Sequence, residues 1–304
     1  MQVTGSEIRE RDDQRGLVRP THHDVVLAGM RLHYLEWGMP GNPAILFLHG
    51  GGLDAHTWDA VCADLCHDYH CYALDLRGHG DSEWSPTLDY GLDAHVRDVA
   101  GFVDHLGSDR LVVVGHSLGG HAGILYASRH SDLLAGLVVV DTSPFFRGGP
   151  PLTELRDFMV GATVFDSFDD AIDYVHAFKP SRDPASIGAS LEHSLRRLPD
   201  GRWTWKRDQR GLDNNYFATS LGELQSLVGV VPDVRCPTLL VRGETGAVSP
   251  DDAEKLCSLL PDGRPVTVDG AAHNVQRDNP PGFVAALRPF LAQCVRLPSA
   301  EAKA

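Results

Sequence analysis

Apolar residues along the chain form short continuous runs that alternate with longer stretches of helical spacing. The run Ala44–Leu48 is apolar throughout, which is typical of a parallel strand buried on both faces. Leu92–Leu106 has helical spacing and ends at Gly107, a common helix stop. Further predicted strands are Arg31–Trp37, Cys71–Leu74, Leu111–Val114, Leu137–Val140, Thr238–Val241 and Val266–Val268. This alternation predicts an α/β fold with a mostly parallel, eight-stranded sheet and helices on both faces.

The alternation stops after Val140. Residues 144–232 contain helical stretches separated by prolines and no apolar strand run, and the segment is too long for a loop. We therefore predict a helical cap at 144–232, inserted into an α/β core made of residues 25–143 and 233–297. Caps of this kind exclude water and shape a substrate pocket. Residues 1–24 are polar and charged and are predicted to form a flexible N-terminal arm.

The composition excludes several classes of partner. The 304 residues include 27 basic and 41 acidic ones, and the net charge of −14 argues against nucleic acid or an anionic membrane as a partner. No apolar run reaches the roughly 18 residues of a membrane span, and the start lacks the apolar centre of a secretory signal. The six cysteines show no paired metal-ligand spacing, so we expect reduced thiols in a cytoplasmic protein. The expected partner is a small-molecule substrate, without cofactor or metal, for a monomer or homodimer.

The strongest chemical signal is a G-x-S-x-G pattern at Gly115–Gly119. A β-branched strand run precedes it and a helix-compatible stretch follows directly. This strand–turn–helix context, a nucleophile elbow, holds Ser117 in strained backbone geometry, where flanking glycines avoid clashes. The turn presents the Ser117 hydroxyl above the sheet edge, and the Leu118 N–H at the helix start can stabilise an oxyanion. The segment predicts a nucleophilic serine; a structural glycine-rich turn is the alternative.

A serine hydroxyl needs a base, which is usually a histidine oriented by a carboxylate. Among sixteen histidines, His273 follows the last predicted strand, at the carboxyl edge of the sheet where ligands bind. A solvated loop histidine is the alternative. The glycine-rich loop His49–Gly52 follows a buried strand, and its Gly51 N–H would supply a second oxyanion donor. A loop without a chemical role is the alternative there.

These motifs together resemble the α/β-hydrolase superfamily, in its cap-bearing serine hydrolase branch of esterases and amide or C–C bond hydrolases. The residues that carry the resemblance are His49–Gly51, Asp75–Ser82, Gly115–Gly119 and Ala272–His273. The likeness runs from about Val25 to Val295 and is weakest in the cap. It implies that the Arg77–Ser82 stretch braces the loop beside the active site, so Arg77, His79 and Asp81 are expected to be structural.

The acid that would orient His273 is missing from its usual place. The superfamily most often carries it a few residues beyond the glycine after the penultimate strand. Here that glycine is Gly243, and the first aspartate after it is Asp251. A histidine without its carboxylate keeps the wrong tautomer and loses several orders of magnitude in rate. Some branches, including certain dehalogenases and a vitamin B6-catabolic amide hydrolase, carry the acid after the elbow helix, where this chain has Asp141. We assign Asp141 as the acid, with Glu244 as its rival and a structural turn aspartate as the further alternative.

Several residues near these motifs are candidates for contact with a substrate. His49 and His116 adjoin the oxyanion loop and the serine, and Phe145 and Phe146 lie just past Asp141. The candidates in the cap are Arg147, Trp203 and Trp205. Arginines of the cap can bind a carboxylate-bearing substrate with bidentate hydrogen bonds, although exposed ones are more often solvated. Packing is the alternative for each aromatic residue.

The sequence therefore predicts a serine hydrolase that cleaves an ester, lactone, amide or activated C–C bond of a small molecule through an acyl-enzyme on Ser117. Serine in the elbow excludes the aspartyl-ester route used by dehalogenases and epoxide hydrolases of this fold. The alternatives are a cofactor-free lyase or perhydrolase, or a small-molecule receptor on the same fold.

Overall fold

The computed structural model describes residues 18–108, 110–146, 150–210, 212 and 214–295. The strands are β1 Thr21–Leu27, β2 Met30–Trp37, β3 Ala44–Leu48, β4 His70–Leu74, β5 Leu111–His116, β6 Leu134–Val140, β7 Val164–Phe165, β8 Leu195–Arg197, β9 Trp203–Trp205, β10 Thr238–Gly243 and β11 Gly263–Val268. The helices are α1 Asp59–Leu65, α2 Leu92–Leu106, α3 Leu118–His130, α4 Pro150–Val160, α5 Phe168–Phe178, α6 Pro184–Ser194, α7 Asn214–Ser226, α8 Pro250–Leu259, α9 Val275–Asp278 and α10 Pro280–Cys294.

Eight strands form one sheet in the order β1-β2-β4-β3-β5-β6-β10-β11. The pairs β1–β2 and β2–β4 are antiparallel, and every other neighbouring pair is parallel. The predicted α/β class and the eight-stranded, mostly parallel sheet are confirmed. Because parallel strands end at the same edge, the segments after β3, β5, β6, β10 and β11 meet there.

Helices cover both faces of this sheet and divide its core into two apolar clusters. Along β3, Leu46 and Leu48 belong to the cluster under α2, α3 and α8, whereas Ile45 and Phe47 belong to the cluster under α1 and α10. Alternate strand residues face opposite sides, so a strand covered on both faces must be apolar at every position. This explains why the central strands were visible in the sequence as continuous apolar runs.

The edge strand β1 corrects the predicted N-terminal arm. Residues 21–24, assigned to the flexible arm 1–24, lie in β1 and pair with β2 from Thr21 opposite Glu36 to Leu27 opposite Met30. The strand was missed because it lies at the edge and is half exposed, so polar and charged residues occupy much of it. Residues 1–17 lie outside the described residues.

The inserted segment between β6 and β10, predicted to be a helical cap and called the cap below, is not purely helical in its described part. Strands β7, β9 and β8 form a three-stranded antiparallel sheet beside α4, α5 and α6. Each strand is only two or three residues long, which is too short for alternation to show in the sequence. Phe165, Ile187, Leu191 and Trp205 bury a separate apolar cluster, so the cap has a core of its own.

No helix in the described part of the chain is long and apolar enough to cross a membrane.

Buried polar groups brace the loop that follows β4. Arg77 donates from Nε and Nη2 to the two carboxylate oxygens of Asp98, at 2.6 and 2.7 Å. His79 Nδ1 donates to the Arg77 carbonyl at 3.0 Å. Burial lowers the pKa of His79 to about 3, because a charged imidazole loses its hydration there. The structure thus gives Arg77 and His79 the structural places expected of them.

The buried, neutral His79 makes stability depend on pH. Above its usual pKa of 6.5 the ring is neutral in both the folded and the unfolded chain, whereas at lower pH only the unfolded chain binds the proton until about pH 3. Between pH 6.5 and about pH 3, this residue therefore lowers the free energy of unfolding by about 1.4 kcal/mol for each unit by which the pH decreases. His79→Asn keeps an N–H donor for Arg77 without the titration. Urea unfolding at pH 7 and pH 5 should show a loss on acidification that is smaller by about 2 kcal/mol in this variant.

The matched control is His67→Asn, at a position where the side chain is exposed. It should leave the difference between the two pH values at the wild-type level, because the ring is solvated in both states. Equal pH dependence in His79→Asn and wild type would contradict the neutral, buried state of His79.

Candidate active site

The predicted elbow joins β5 to α3. Ser117 lies between the two elements with φ 50° and ψ −113°, a left-handed conformation that is strained for a residue with a side chain. Its N–H donates to the Val140 carbonyl at 3.1 Å, which ties the elbow to the end of β6. A Cβ at Gly115 would lie 2.3 Å from the Gly119 carbonyl oxygen, so the turn closes only with glycine there.

The glycine-rich loop after β3 lies directly against this elbow. A Cβ at Gly50 would lie 3.2 Å from the Ser117 Cβ, and the Gly119 N–H donates to the His49 carbonyl at 3.1 Å. Among the described residues, the N–H groups of Gly51 and Leu118 donate to no protein acceptor. The two predicted oxyanion donors are therefore brought beside the serine with their hydrogens free.

Asp141 lies at the end of β6, is 0% exposed and has a positive φ of 45°. Its Oδ2 accepts from His273 Nδ1 at 2.8 Å and from the Ala247 N–H at 2.6 Å, and its Oδ1 accepts from the Gly243 N–H at 3.1 Å. Three hydrogen bonds compensate the desolvation of this buried side chain. The structure thus brings the Asp141 carboxylate to the His273 ring.

The rival acid Glu244 is directed elsewhere. Its side chain is exposed, and Oε2 accepts from the Gly270 N–H at 2.8 Å. The loop after β10 contributes backbone donors in place of a carboxylate, since Gly243 and Ala247 both bond to Asp141. A Cβ at Gly246 would lie 2.2 Å from Asp141 Oδ1. The small residues of this loop leave the space that the Asp141 carboxylate occupies.

His273 is held through its backbone as well as its ring. Its carbonyl accepts a hydrogen bond from His116 Nε2 at 2.8 Å, and the two rings lie 4.7 Å apart. His116 is 1% exposed, and burial lowers its pKa well below the usual value, so the ring is neutral. The His273 side chain itself is 35% exposed, which leaves the ring accessible.

The expectation that His49 and His116 contact a substrate is wrong in this structure, because neither side chain reaches a surface. His49 is fully buried; its Nδ1 donates to the Gly50 carbonyl and its Nε2 accepts from the Leu76 N–H at 2.9 Å. These bonds shape the oxyanion loop from behind. Both histidines position backbone segments of the site.

The remaining predicted contact residues fall into three groups. Phe145 and Phe146 are half-buried and pack against the core cluster beside α2 and α3. Trp203 packs edge-on against Phe168, and Trp205 is buried with its Nε1 donating to the Ala162 carbonyl, so both indoles belong to the core of the cap. The packing alternative accounts for these two residues. Arg147 lies outside the described residues.

The sequence analysis did not identify the backbone partners of Asp141, nor Arg207 in the cap. Gly243, Gly246 and Ala247 carry no side-chain chemistry, so nothing in the sequence marked them as partners of Asp141. Arg207 is 5% exposed and lies with Nη1 3.1 Å from where a Cβ on Gly52 would be. Its placement between the cap and the oxyanion loop depends on how the cap packs.

Within the described part of the chain, two groups of side chains have the donor atoms of a metal site: His56, Asp59 and His193, and His33, Asp75 and Asp81. Both groups contain internal hydrogen bonds, such as His56 Nδ1 to Asp59 Oδ2 at 3.0 Å and His33 Nδ1 to Asp75 Oδ2 at 2.8 Å. Neither group includes Ser117, His273 or Asp141.

The close approach at Gly246 predicts a large effect of a single methyl group. In Gly246→Ala the new Cβ must displace the Asp141 carboxylate or the loop, at a cost of about 1–3 kcal/mol in the free energy of unfolding. Urea denaturation of the variant measures this loss. The matched control is Gly222→Ala in α7, where nothing lies within 4 Å of the added Cβ. It should raise stability by about 0.5–1 kcal/mol, because alanine favours helix. Equal effects of the two substitutions would contradict the packing described.

Comparison with known proteins agrees with this architecture. Residues 43–280 match the family model described as the alpha/beta hydrolase fold. The chain is 32% identical to an esterase of Mycobacterium tuberculosis, over 93% of this chain and 94% of that protein. It is also 32% identical to an N-formylmaleamate deformylase of Pseudomonas putida, over 88% and 95% of the two chains.

Solved structures of hydrolases also resemble the chain. A crystal structure of E-2-(acetamidomethylene)succinate hydrolase superimposes with a TM-score of 0.78 at 26% identity, covering 90% of this chain and all of the other. The structure of the mycobacterial esterase gives a TM-score of 0.75 at 30% identity, covering 90% and 92% of the two chains. These relatives are hydrolases, and the motifs that suggested the superfamily lie within the matched residues. The chain belongs to the α/β-hydrolase fold family and is an enzyme of the hydrolase class.

Proposed function

We propose that the protein is a serine hydrolase that acts through an acyl-enzyme on Ser117. His273 takes the hydroxyl proton as Ser117 attacks a carbonyl carbon, and it returns the proton to the leaving group. Asp141 keeps the imidazole in the tautomer whose Nε2 can accept that proton. The N–H groups of Gly51 and Leu118 stabilise the oxyanion, and water then releases the acyl group.

The observation that carries this proposal is the contact between Asp141 and His273. A buried aspartate that accepts from Nδ1 at 2.8 Å fixes the ring, and two backbone N–H donors fix the aspartate in turn. This contact lies beside a serine in strained backbone geometry and two unpaired N–H groups. A receptor would need none of these features, so their coincidence supports catalysis.

The names of the relatives narrow the range of bond types that we propose the protein cleaves. One is named an esterase, one a deformylase of N-formylmaleamate and one a hydrolase of an acetamidomethylene-substituted succinate. All three names are compatible with acyl transfer from an ester or an amide to water. We therefore propose esters or amides of small carboxylic acids as the substrate class, within the wider range that includes lactones and activated C–C bonds.

The acyl-enzyme predicts a burst of p-nitrophenol when the protein is mixed with p-nitrophenyl butyrate. Its amplitude should equal the enzyme concentration wherever release of the acyl group is slower than its formation. Ser117→Ala should lose the burst and the covalent labelling by a fluorophosphonate, while its thermal unfolding stays close to wild type. Absence of both burst and labelling in the folded wild-type protein would contradict the proposal and favour a receptor.

Substitution of the two candidate acids, Asp141 and Glu244, is expected to affect kcat very differently. Asp141→Asn keeps the shape but changes the hydrogen-bonding pattern at Nδ1, so kcat should fall by about 10³–10⁴-fold. Glu244→Gln is the matched control: its amide oxygen can still accept from Gly270, and kcat should stay within about threefold of wild type. Steady-state rates on p-nitrophenyl butyrate measure both, and a reversed order would reassign the acid to Glu244.

A further inference from the structure

Arg207, in the cap directly after β9, is a buried arginine that forms no ion pair with any described residue. Its neighbour Asp208 is engaged elsewhere, since its carboxylate accepts from Tyr90 Oη and from Arg210. Burying an unpaired guanidinium costs free energy, and proteins normally offset this cost with a carboxylate.

A second buried arginine shows the usual arrangement. Arg77 is bonded on two nitrogens by Asp98, and this carboxylate raises the pKa of its guanidinium. Burial without such a partner lowers the pKa of Arg207 to about 10. Both side chains are buried, at 7% and 5% exposure, but among the described residues only Arg77 has a carboxylate bonded to it.

The hydrogen bonds of Arg207 leave donors unused. Nη2 donates to the Met159 carbonyl at 3.3 Å, and Nε donates at 3.1 Å to the Gln209 amide oxygen, in the amide orientation that satisfies both of its ends. The guanidinium lies over the Trp205 ring at 4.5 Å. Both hydrogens of Nη1 and one of Nη2 therefore lack an acceptor among the described residues.

The backbone on each side of Arg207 is fastened to the core. Lys206 Nζ pairs with Asp81 at 2.7 Å, and the Lys206 carbonyl accepts from Trp84 Nε1 at 2.7 Å. The Asp208 N–H donates to the Gly78 carbonyl at 2.7 Å. These contacts hold the arginine in place before any ligand arrives, which lowers the entropy cost of binding.

The free end of the guanidinium is directed at the oxyanion loop. A Cβ at Gly52 would lie 3.1 Å from Arg207 Nη1, and Gly52 follows Gly51, the proposed oxyanion donor. On the other side of Gly51, Gly50 packs against Ser117. Two residues span at most about 7 Å between Cα atoms, so the cation and the serine lie along one short loop.

We infer that Arg207 binds a carboxylate of the substrate with the free hydrogens of its guanidinium, so that the enzyme prefers monoesters or monoamides of short dicarboxylic acids. This inference rests on the proposed function for the reaction itself. A planar guanidinium matches a carboxylate in shape, and an anionic ligand would supply the counter-charge that none of the described residues provides. The acyl group would then extend from Ser117 towards Gly52.

The test compares two esters that differ in charge at one end. Mono-p-nitrophenyl succinate carries a terminal carboxylate, and p-nitrophenyl pentanoate places an uncharged ethyl group there. Wild type should favour the anionic ester in kcat/KM. Arg207→Met removes the charge and keeps an apolar side chain, so it should remain folded and lose about 10- to 100-fold on the anionic ester, the range for hydrogen bonds to a charged group. The neutral ester reports any general loss of activity, so the predicted loss is measured as the fall in the ratio of kcat/KM for the anionic ester to kcat/KM for the neutral ester.

Two further variants separate charge and shape from folding. Arg207→Lys keeps the charge without the planar pair of donors, so its kcat/KM on the anionic ester should lie between those of wild type and Arg207→Met. Arg202→Gln removes an exposed arginine of the cap that pairs with Asp200, and it should leave the preference unchanged. Thermal unfolding of each variant checks that the fold is intact.

A binding measurement decides the inference even without turnover. In the Ser117→Ala protein, millimolar succinate should raise the unfolding temperature more than butyramide does, and the additional Arg207→Met substitution should abolish the difference. No extra protection by succinate, or equal protection with and without Arg207, would overturn the carboxylate site. Loss of Ser117-dependent hydrolysis of both esters, with succinate binding intact, would instead overturn the proposed reaction.

Discussion

The buried carboxylate of Asp141 is the constraint on which the arrangement of the site depends. A fully buried aspartate is tolerated only when its oxygens accept hydrogen bonds, and here the donors come from two different loops. The loop after β10 gives two backbone N–H groups, and the loop after β11 gives the His273 ring. Satisfying one side chain therefore fixes the relative positions of three strand ends at the carboxyl edge of the sheet.

Close backbone packing explains why so many glycines surround the serine. A Cβ would overlap a neighbouring atom where the oxyanion loop meets the elbow at Gly50, where the elbow closes on itself at Gly115, and where the loop after β10 meets the Asp141 side chain at Gly246. Buried, neutral histidines complete this arrangement by bonding to backbone. His49 shapes the oxyanion loop, and His116 holds the carbonyl of His273. His49 and His116 thus position backbone near Ser117, while the His273 ring remains accessible.

The core and the cap treat buried charge differently. In the core, Arg77 meets Asp98 and Asp141 meets backbone donors, so each charge is satisfied within the protein. In the cap, Arg207 is held by neutral groups and aromatic faces over the oxyanion loop. Under the proposed function, the core supplies the reactive geometry, and the inserted segment supplies the groups that would distinguish one substrate from another. This division is consistent with hydrolases of different names on the same fold.

The α/β class, the central strands, the elbow at Ser117 and the place of His273 after the last strand could all be predicted from the sequence, because each depends on local periodicity or on a short motif. It also indicated Asp141, since that residue ends the strand after the elbow helix. The half-exposed edge strand β1 and the two- and three-residue strands of the cap escaped detection, because alternation over so few half-buried residues carries little signal. Three features could be seen only in the folded protein: Asp141 and not Glu244 contacts His273, His49 and His116 are buried, and Arg207 reaches the oxyanion loop. Those outcomes depend on contacts between residues distant in the chain, such as the 132 positions that separate Asp141 from His273.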